Sequence, residues 1–238
     1  MRKILIVVTL LASLLFVGAT FAYSHVLWLA SIEDSSFIKL SGNIFIDPAL
    51  EEAERQKAIS AINEGKARIS KAFGLYTATP VVVITGTAKN AKKYGLGGFP
   101  AKAFAAPWNQ YVVVNYQIEN IDLIAHELMH AQLREVVGYW IYLTEIPTWF
   151  DEGVAMQVDH RERYEVDFPS FPQDKIERVR KLTRPSRFWT DSKEEDINNY
   201  LAAKAAVHQV LAENTGQSLF SMLSKVRIGH DFNEVFGE

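Results

Sequence analysis

The 238-residue sequence contains no cysteine. That removes disulfide frameworks, thiolate nucleophiles and cysteine-ligated zinc sites together. Any metal bound by side chains must be held by His, Asp or Glu. Basic residues are scattered and outnumbered, 25 Lys and Arg against 28 Asp and Glu, so the net charge is −3. Nothing in that balance favours a nucleic-acid partner. Glycine and proline are sparse, 13 and 8 residues, and no Pro/Gly linker is long enough to separate two large domains. Internal repeats and low-complexity tracts are missing too. What is present is an ordinary globular mixture, 48% hydrophobic and 22% charged, without the composition of a disordered chain.

Charge is itself absent from one long stretch. Arg2-Lys3 is followed by residues 4–32, 29 positions without Asp, Glu, Lys or Arg. Two readings fit. One is a secretory signal peptide cleaved near Thr20-Phe21-Ala22; the other is an uncleaved N-terminal membrane anchor. The positive start places residues 33–238 outside the cytoplasm in both. The expected organisation is therefore 1–32 as signal or anchor and 33–238 as one globular domain.

Within that domain, Phe37–Asp47 alternates enough for one or two strands. Asp47-Pro48 reads as a helix start, with an apolar stripe of Leu50, Ile62, Ile69 and Phe73 and a stop at Gly74. Pro80–Thr85 and Tyr111–Tyr116 are β-branched and read as strands. Between them, Gly95–Trp108 reads as irregular or as a bulged edge strand. From Asn120 the pattern turns helical: Ile121–Val137 closed by Gly138, then Pro147 to about Asp159, then Gln173–Leu182, Ile197–Asn214 and Ser218–Arg227. Asp231-x-x-Glu234 suggests a capping box for a last turn. The expected class is α+β, a small mixed sheet packed on helices and followed by a helical subdomain.

The chemistry centres on Ala125-His126-Glu127-Leu128-Met129-His130-Ala131, an H-E-x-x-H on a predicted helix. Residues i and i+4 share a helical face. Two imidazoles so placed can bind one Zn²⁺, with Glu127 beside them as the general base. A catalytic zinc site needs a third protein ligand, and 22 residues past His130 stands Glu152. Asp151 is its neighbour, but adjacent helical residues point about 100° apart, so only one of the two can face the ion.

The segment Pro147-Thr148-Trp149-Phe150-Asp151-Glu152-Gly153-Val154-Ala155 resembles the second motif of the gluzincin metallopeptidases, W-x-x-E-G-x-A. Trp149, Glu152, Gly153 and Ala155 match it position for position. The two motifs together span Ile121 to about His160, and the broader run looks like the small peptidase-MA-like proteins of that clan. The resemblance implies a zincin-like fold, one Zn²⁺ on His126, His130 and Glu152, and hydrolysis of a peptide or protein substrate. It also implies that Glu152, not Asp151, is the ligand, and Gly153 would let its helix approach the first closely.

The second motif also departs from some relatives. Thermolysin-like proteins carry an Asp four residues after the ligand Glu, where this chain has Met156. Aminopeptidase-N-like proteins carry a Glu seven residues after it, and Asp159 fills that position here. Asp159 is thus either a carboxylate behind a ligand histidine or a plain helix-end acid. For oxyanion stabilisation, relatives use a Tyr or His on a later helix; Tyr200 fits that role and His208 is the alternative. Substrate is expected along a strand edge near Gly97–Ala106. That segment has no Glu to hold a free amine, so endopeptidase action is favoured over aminopeptidase action. Tyr139, Trp140, Tyr142, Phe188 and Trp189 either line a pocket or fill core. Two other functions share the sequence features: a membrane-tethered, non-catalytic binding or assembly protein with a peptidase-like fold, and a zinc amidase acting on non-protein amides.

Overall fold

The computed structural model describes residues 24–116 and 120–237. The expected signal cleavage site, and all but the last nine residues of the expected signal or anchor, lie outside them. No helix among the described residues is long and apolar enough to cross a membrane.

The fold is α+β, built on a five-stranded mixed sheet. Its strands are β1 (Ile38–Ser41), β2 (Ile44–Ile46), β3 (Val81–Thr85), β4 (Ala101–Ala106) and β5 (Asn109–Asn115), in the order β1-β2-β3-β5-β4. The central pairs β2–β3 and β3–β5 are parallel, and each edge strand is antiparallel to its neighbour. The continuous apolar runs of β3 and β5 follow from burial on both faces. Val82, Ile84, Val112 and Val114 point into the main core, whereas Val81, Val83, Tyr111 and Val113 point into a smaller one behind the sheet.

The smaller core is closed by helix α1 (Ser24–Ala30) and by α3 (Ala88–Lys93), which supply Leu29 and Ala91. Ile32, just past α1, is buried there too, so the last part of the uncharged N-terminal stretch packs on the sheet. On the outer side of α1, Leu27 and Trp28 are exposed. The main core lies between the sheet's other face and α2 (Glu52–Phe73) and α4 (Ile121–Val137). Gly65 of α2 sits where a Cβ would lie 3.3 Å from the Ala125 backbone nitrogen, which lets these two helices pack closely.

The remaining helices are α5 (Tyr139–Thr144), α6 (Thr148–Met156), α7 (Gln173–Arg180), α8 (Pro185–Phe188), α9 (Lys193–Glu213), α10 (Leu219–Arg227) and α11 (Phe232–Phe236). Apolar residues of α6, α7, α9, α10 and α11 continue the same core as the sheet.

Four local expectations are corrected. Helix α2 begins at Glu52, because Glu51 and Glu54 form a capping box there. Asp47 instead pins a turn, accepting from the Ala49 and Gly86 backbone N–H groups and from Asn90 Nδ2. The glycine- and proline-rich segment contains β4, a regular strand paired with β5 from Ala101↔Val114 to Ala106↔Asn109 without a break. Helix α6 ends at Met156, and α9 begins at Lys193, where the Ser192 hydroxyl caps the Glu195 N–H.

Candidate metal centre

Helix α4 is capped at its start by the Asn120 side chain, which accepts from the Asp122 N–H, and stopped by Gly138 at φ 85°. It carries His126, Glu127 and His130, all buried. Helix α6 crosses it and delivers Glu152, also buried. His126 Nε2 and His130 Nε2 are 3.2 Å apart, and Glu152 Oε2 lies 3.3 Å from the first and 3.7 Å from the second. Bonds of about 2.0–2.1 Å to a tetrahedral ion place ligand atoms about 3.3 Å from one another. Glu152 Oε2 is buried with no hydrogen-bond partner among the described residues. A carboxylate oxygen left so costs free energy unless something outside the chain meets it. The three side chains form a group able to hold a metal ion.

The far side of each imidazole is also met by acid. His130 Nδ1 donates to Asp151 Oδ1 at 2.7 Å, and the Tyr142 hydroxyl donates to Asp151 Oδ2. His126 Nδ1 faces Asp159 Oδ2 at 3.6 Å. Of the two adjacent acids, Glu152 faces the two Nε2 atoms, but Asp151 is not idle. Consecutive residues on α6 grip opposite edges of the same imidazole. Asp159 is fully buried, not a helix-end surface acid. It is held by Arg161, whose Nε lies 2.9 and 3.0 Å from its two oxygens, and its own backbone carbonyl accepts from Lys204 Nζ at 2.9 Å. Arg68 of α2 anchors this corner by pairing with Asp122 and donating to the Val158 carbonyl.

A cleft of about 370 Å³ opens onto the site. Its walls include Ala101–Ala103 of β4, the side chains of Glu127, Tyr142 and Tyr200, and Trp189 with Thr190. The strand edge expected near Gly97–Ala106 thus does border the site. Tyr200, on α9, has its ring centroid 6.3 Å from that of His126. Its hydroxyl accepts from Trp189 Nε1 at 2.9 Å, which leaves its own O–H to donate elsewhere. Burial, reinforced by Glu152, holds this phenol well above its ordinary pKa, so it is protonated. His208, the alternative, is exposed and stacks on Phe168. It does not line the cleft, since its place on α9 is two turns beyond Tyr200. Of the aromatic candidates, Tyr142 and Trp189 line this cleft, Tyr139 lines the adjoining one, Phe188 is core and Trp140 is exposed.

Sequence reasoning missed Asp151 as a partner of His130, Tyr142 as a partner of Asp151, and Arg134 in the cleft wall. Its place directly before Glu152 was the one visible signal for Asp151. Gly153 was assigned to the wrong interface. A Cβ there would lie 2.4 Å from the Ala203 carbonyl oxygen, so the close approach is to α9 and not to α4.

The electrostatics give a pH prediction. Burial alone would lower the His130 pKa, but Asp151, Glu152 and Glu127 raise it to about 9. The metal-free site therefore holds a proton at pH 7 that a metal must displace. Uptake of a divalent metal ion at pH 7 should release about one proton, read by calorimetry in buffers of different ionisation enthalpy. Apparent affinity should tighten by roughly tenfold per pH unit up to about pH 9. The raised folded-state pKa also stabilises the metal-free fold fully below the unfolded value of 6.5, and that stability is lost as pH rises through about 9. The chelated protein should consequently melt at lower temperature across that window. Asp151→Asn should flatten both slopes and weaken metal binding by about 10–100-fold. Unchanged slopes in that variant would refute the assigned His130–Asp151 coupling.

No protein-family model matches the sequence, and no curated protein matches it.

Proposed function

We propose that the protein is a zinc-dependent hydrolase of the gluzincin type that cleaves peptide bonds as an endopeptidase. The observation that carries this reading is the convergence of His126 Nε2, His130 Nε2 and Glu152 Oε2 beside Glu127 in one open cleft. Two nitrogens and one carboxylate oxygen suit Zn²⁺, and their spacing suits a tetrahedral ion. The antiparallel edge strand β4 along the cleft fits the same reading, since a peptide can pair with it as an added strand.

When bound, zinc supplies Lewis acidity to a water molecule and to the scissile carbonyl. Glu127 takes the proton from that water as it attacks and returns it to the departing amine. The Tyr200 O–H, aligned by the Trp189 indole, donates to the oxygen on which negative charge develops. Asp151 holds the His130 imidazole by a hydrogen bond to Nδ1, and the Asp159 carboxylate faces His126 Nδ1 at 3.6 Å without a hydrogen bond, so that both Nε2 atoms face inward.

A non-catalytic zinc-binding protein has no need of Glu127, and its presence in the cleft favours the enzyme. Export through the uncharged N-terminal stretch, as a cleaved signal or as a retained anchor, completes the proposal, with the domain outside the cytoplasm. The direct test is cleavage of a peptide mixture with and without chelator. Activity that chelation abolishes and zinc restores supports the reading; zinc-loaded protein that cleaves nothing overturns it. Tyr200→Phe should lower kcat by about a hundredfold with little change in KM or zinc content.

A further inference from the structure

Arg134 stands one helical turn past His130, and His126, His130 and Arg134 fall at i, i+4 and i+8 on one face of α4. Its side chain is only 7% exposed and lines the wall of the metal cleft. Its Nε and Nη1 are buried without hydrogen-bond partners among the described residues. The guanidinium lies over the Tyr142 ring, 4.6 Å from the centroid. Tyr142 also hydrogen-bonds the guanidinium, yet Nε and Nη1 are left unmet. The charge of Asp151 acts on Arg134, but its oxygens are taken up by other donors. Both oxygens of Asp151 accept, from His130 and from Tyr142, and Glu135 accepts from Gln110. The other Lys or Arg lining the cleft, Lys102, is exposed and lies near the Phe99 and Phe104 rings.

A buried guanidinium with unmet N–H groups is costly to keep unless an anion completes it. Arg134 also borders the adjoining cleft lined by Trp108 and Tyr139. It therefore stands where a ligand leaving the metal ligands would continue past the end of β4. We propose that Arg134 is the anion-recognition residue of this cleft, binding a carboxylate that the substrate carries about one helical turn, roughly 6 Å, from the group held at His126 and His130. The planar fork of arginine suits bidentate capture of a carboxylate. This deepens the hydrolase reading and rests on it. The carboxylate is an acidic side chain, as endopeptidase cleavage requires, or a peptide's free C-terminus, in which case the enzyme is a carboxypeptidase and the endopeptidase reading fails.

The test uses zinc-loaded protein and two small hydroxamates, succinic acid monohydroxamate and its neutral amide counterpart, with affinities measured by calorimetry. The acid should bind at least tenfold more tightly than the amide to wild type. Arg134→Gln should bring the two within about twofold, while Arg134→Lys keeps part of the preference. The amide should bind all three proteins alike, which shows that the site is intact. Equal affinities in wild type, or a preference that survives Arg134→Gln, would overturn the proposal. Weakened binding of the amide by both variants would also overturn it, by giving Arg134 a purely structural role. If neither compound binds wild type, the metal-site reading fails and takes this proposal with it. If the preference holds but no peptide is cleaved, only the hydrolase reading fails. Cleavage of peptides with Glu or Gln, and with free or amidated ends, then separates the two sources of the carboxylate.

Discussion

Replacing Glu127 by Gln should leave zinc stoichiometry near one per chain and reduce kcat on the order of 10³–10⁴-fold. The amide has nearly the volume of the carboxylate, so the buried wall of the cleft stays filled and α4 keeps its packing. What is lost is the ability to accept a proton at neutral pH. His130→Ala should give the contrasting result, losing both the metal and turnover, because it removes one of three ligand atoms. Metal analysis and steady-state kinetics on the two variants separate a base from a ligand. A Glu127→Gln enzyme with full, chelator-sensitive activity would eliminate Glu127 as the base, whatever the zinc content.

Gly153→Ala should unfold the site from behind. A Cβ at this position would sit 2.4 Å from the Ala203 carbonyl oxygen and 2.7 Å from Val207 Cγ2. The first of these is backbone and cannot swing aside, so α6 and α9 must separate. The interface they share is small-sided, with Ala202, Ala203, Ala206 and Val207 buried along α9. Overpacking of this kind costs about 3 kcal/mol, which for a chain of this size lowers Tm by roughly 6–12 °C. Glu152 precedes Gly153 on α6, so the same displacement should weaken zinc binding by more than about tenfold, given how closely catalytic ligand shells must be held. Gly216→Ala is the control. Nothing lies within 4 Å of a Cβ there, and its Tm should change by less than about 2 °C. A Gly153→Ala protein with wild-type Tm and zinc affinity would show that the two helices tolerate separation.

How much was legible beforehand differs from residue to residue for physical reasons. His126, Glu127 and His130 could be read as a unit because helix geometry alone puts i and i+4 on one side. Asn120 and Gly138 could be read as the bounds of that helix because capping is local chemistry. Strands β3 and β5 were visible in their β-branched runs, whereas β4, AKAFAA, carries little strand propensity. It is a strand because β5 offers it a full ladder of partners, and tertiary pairing overrides weak propensity. The start of α2 was misplaced because Asp47-Pro48 and Glu51-x-x-Glu54 both offer helix starts. The competition was settled by Gly86 and Asn90, distant residues that claim the Asp47 carboxylate.

The chain's order of residues, through its fixed helical repeat, determined that two imidazoles and a carboxylate would travel together on one helix, and that without cysteine any third metal ligand had to be an acid or another histidine. Folding decided the rest. It turned Glu152 inward and Asp151 toward the outer edge of His130, brought Tyr200 rather than His208 into the cleft, set Gly153 against α9 and left Arg134 buried beside Tyr142. Each of those outcomes depends on how separate helices cross. Crossing is fixed by the packing of side chains far apart in the sequence, which local periodicity does not encode.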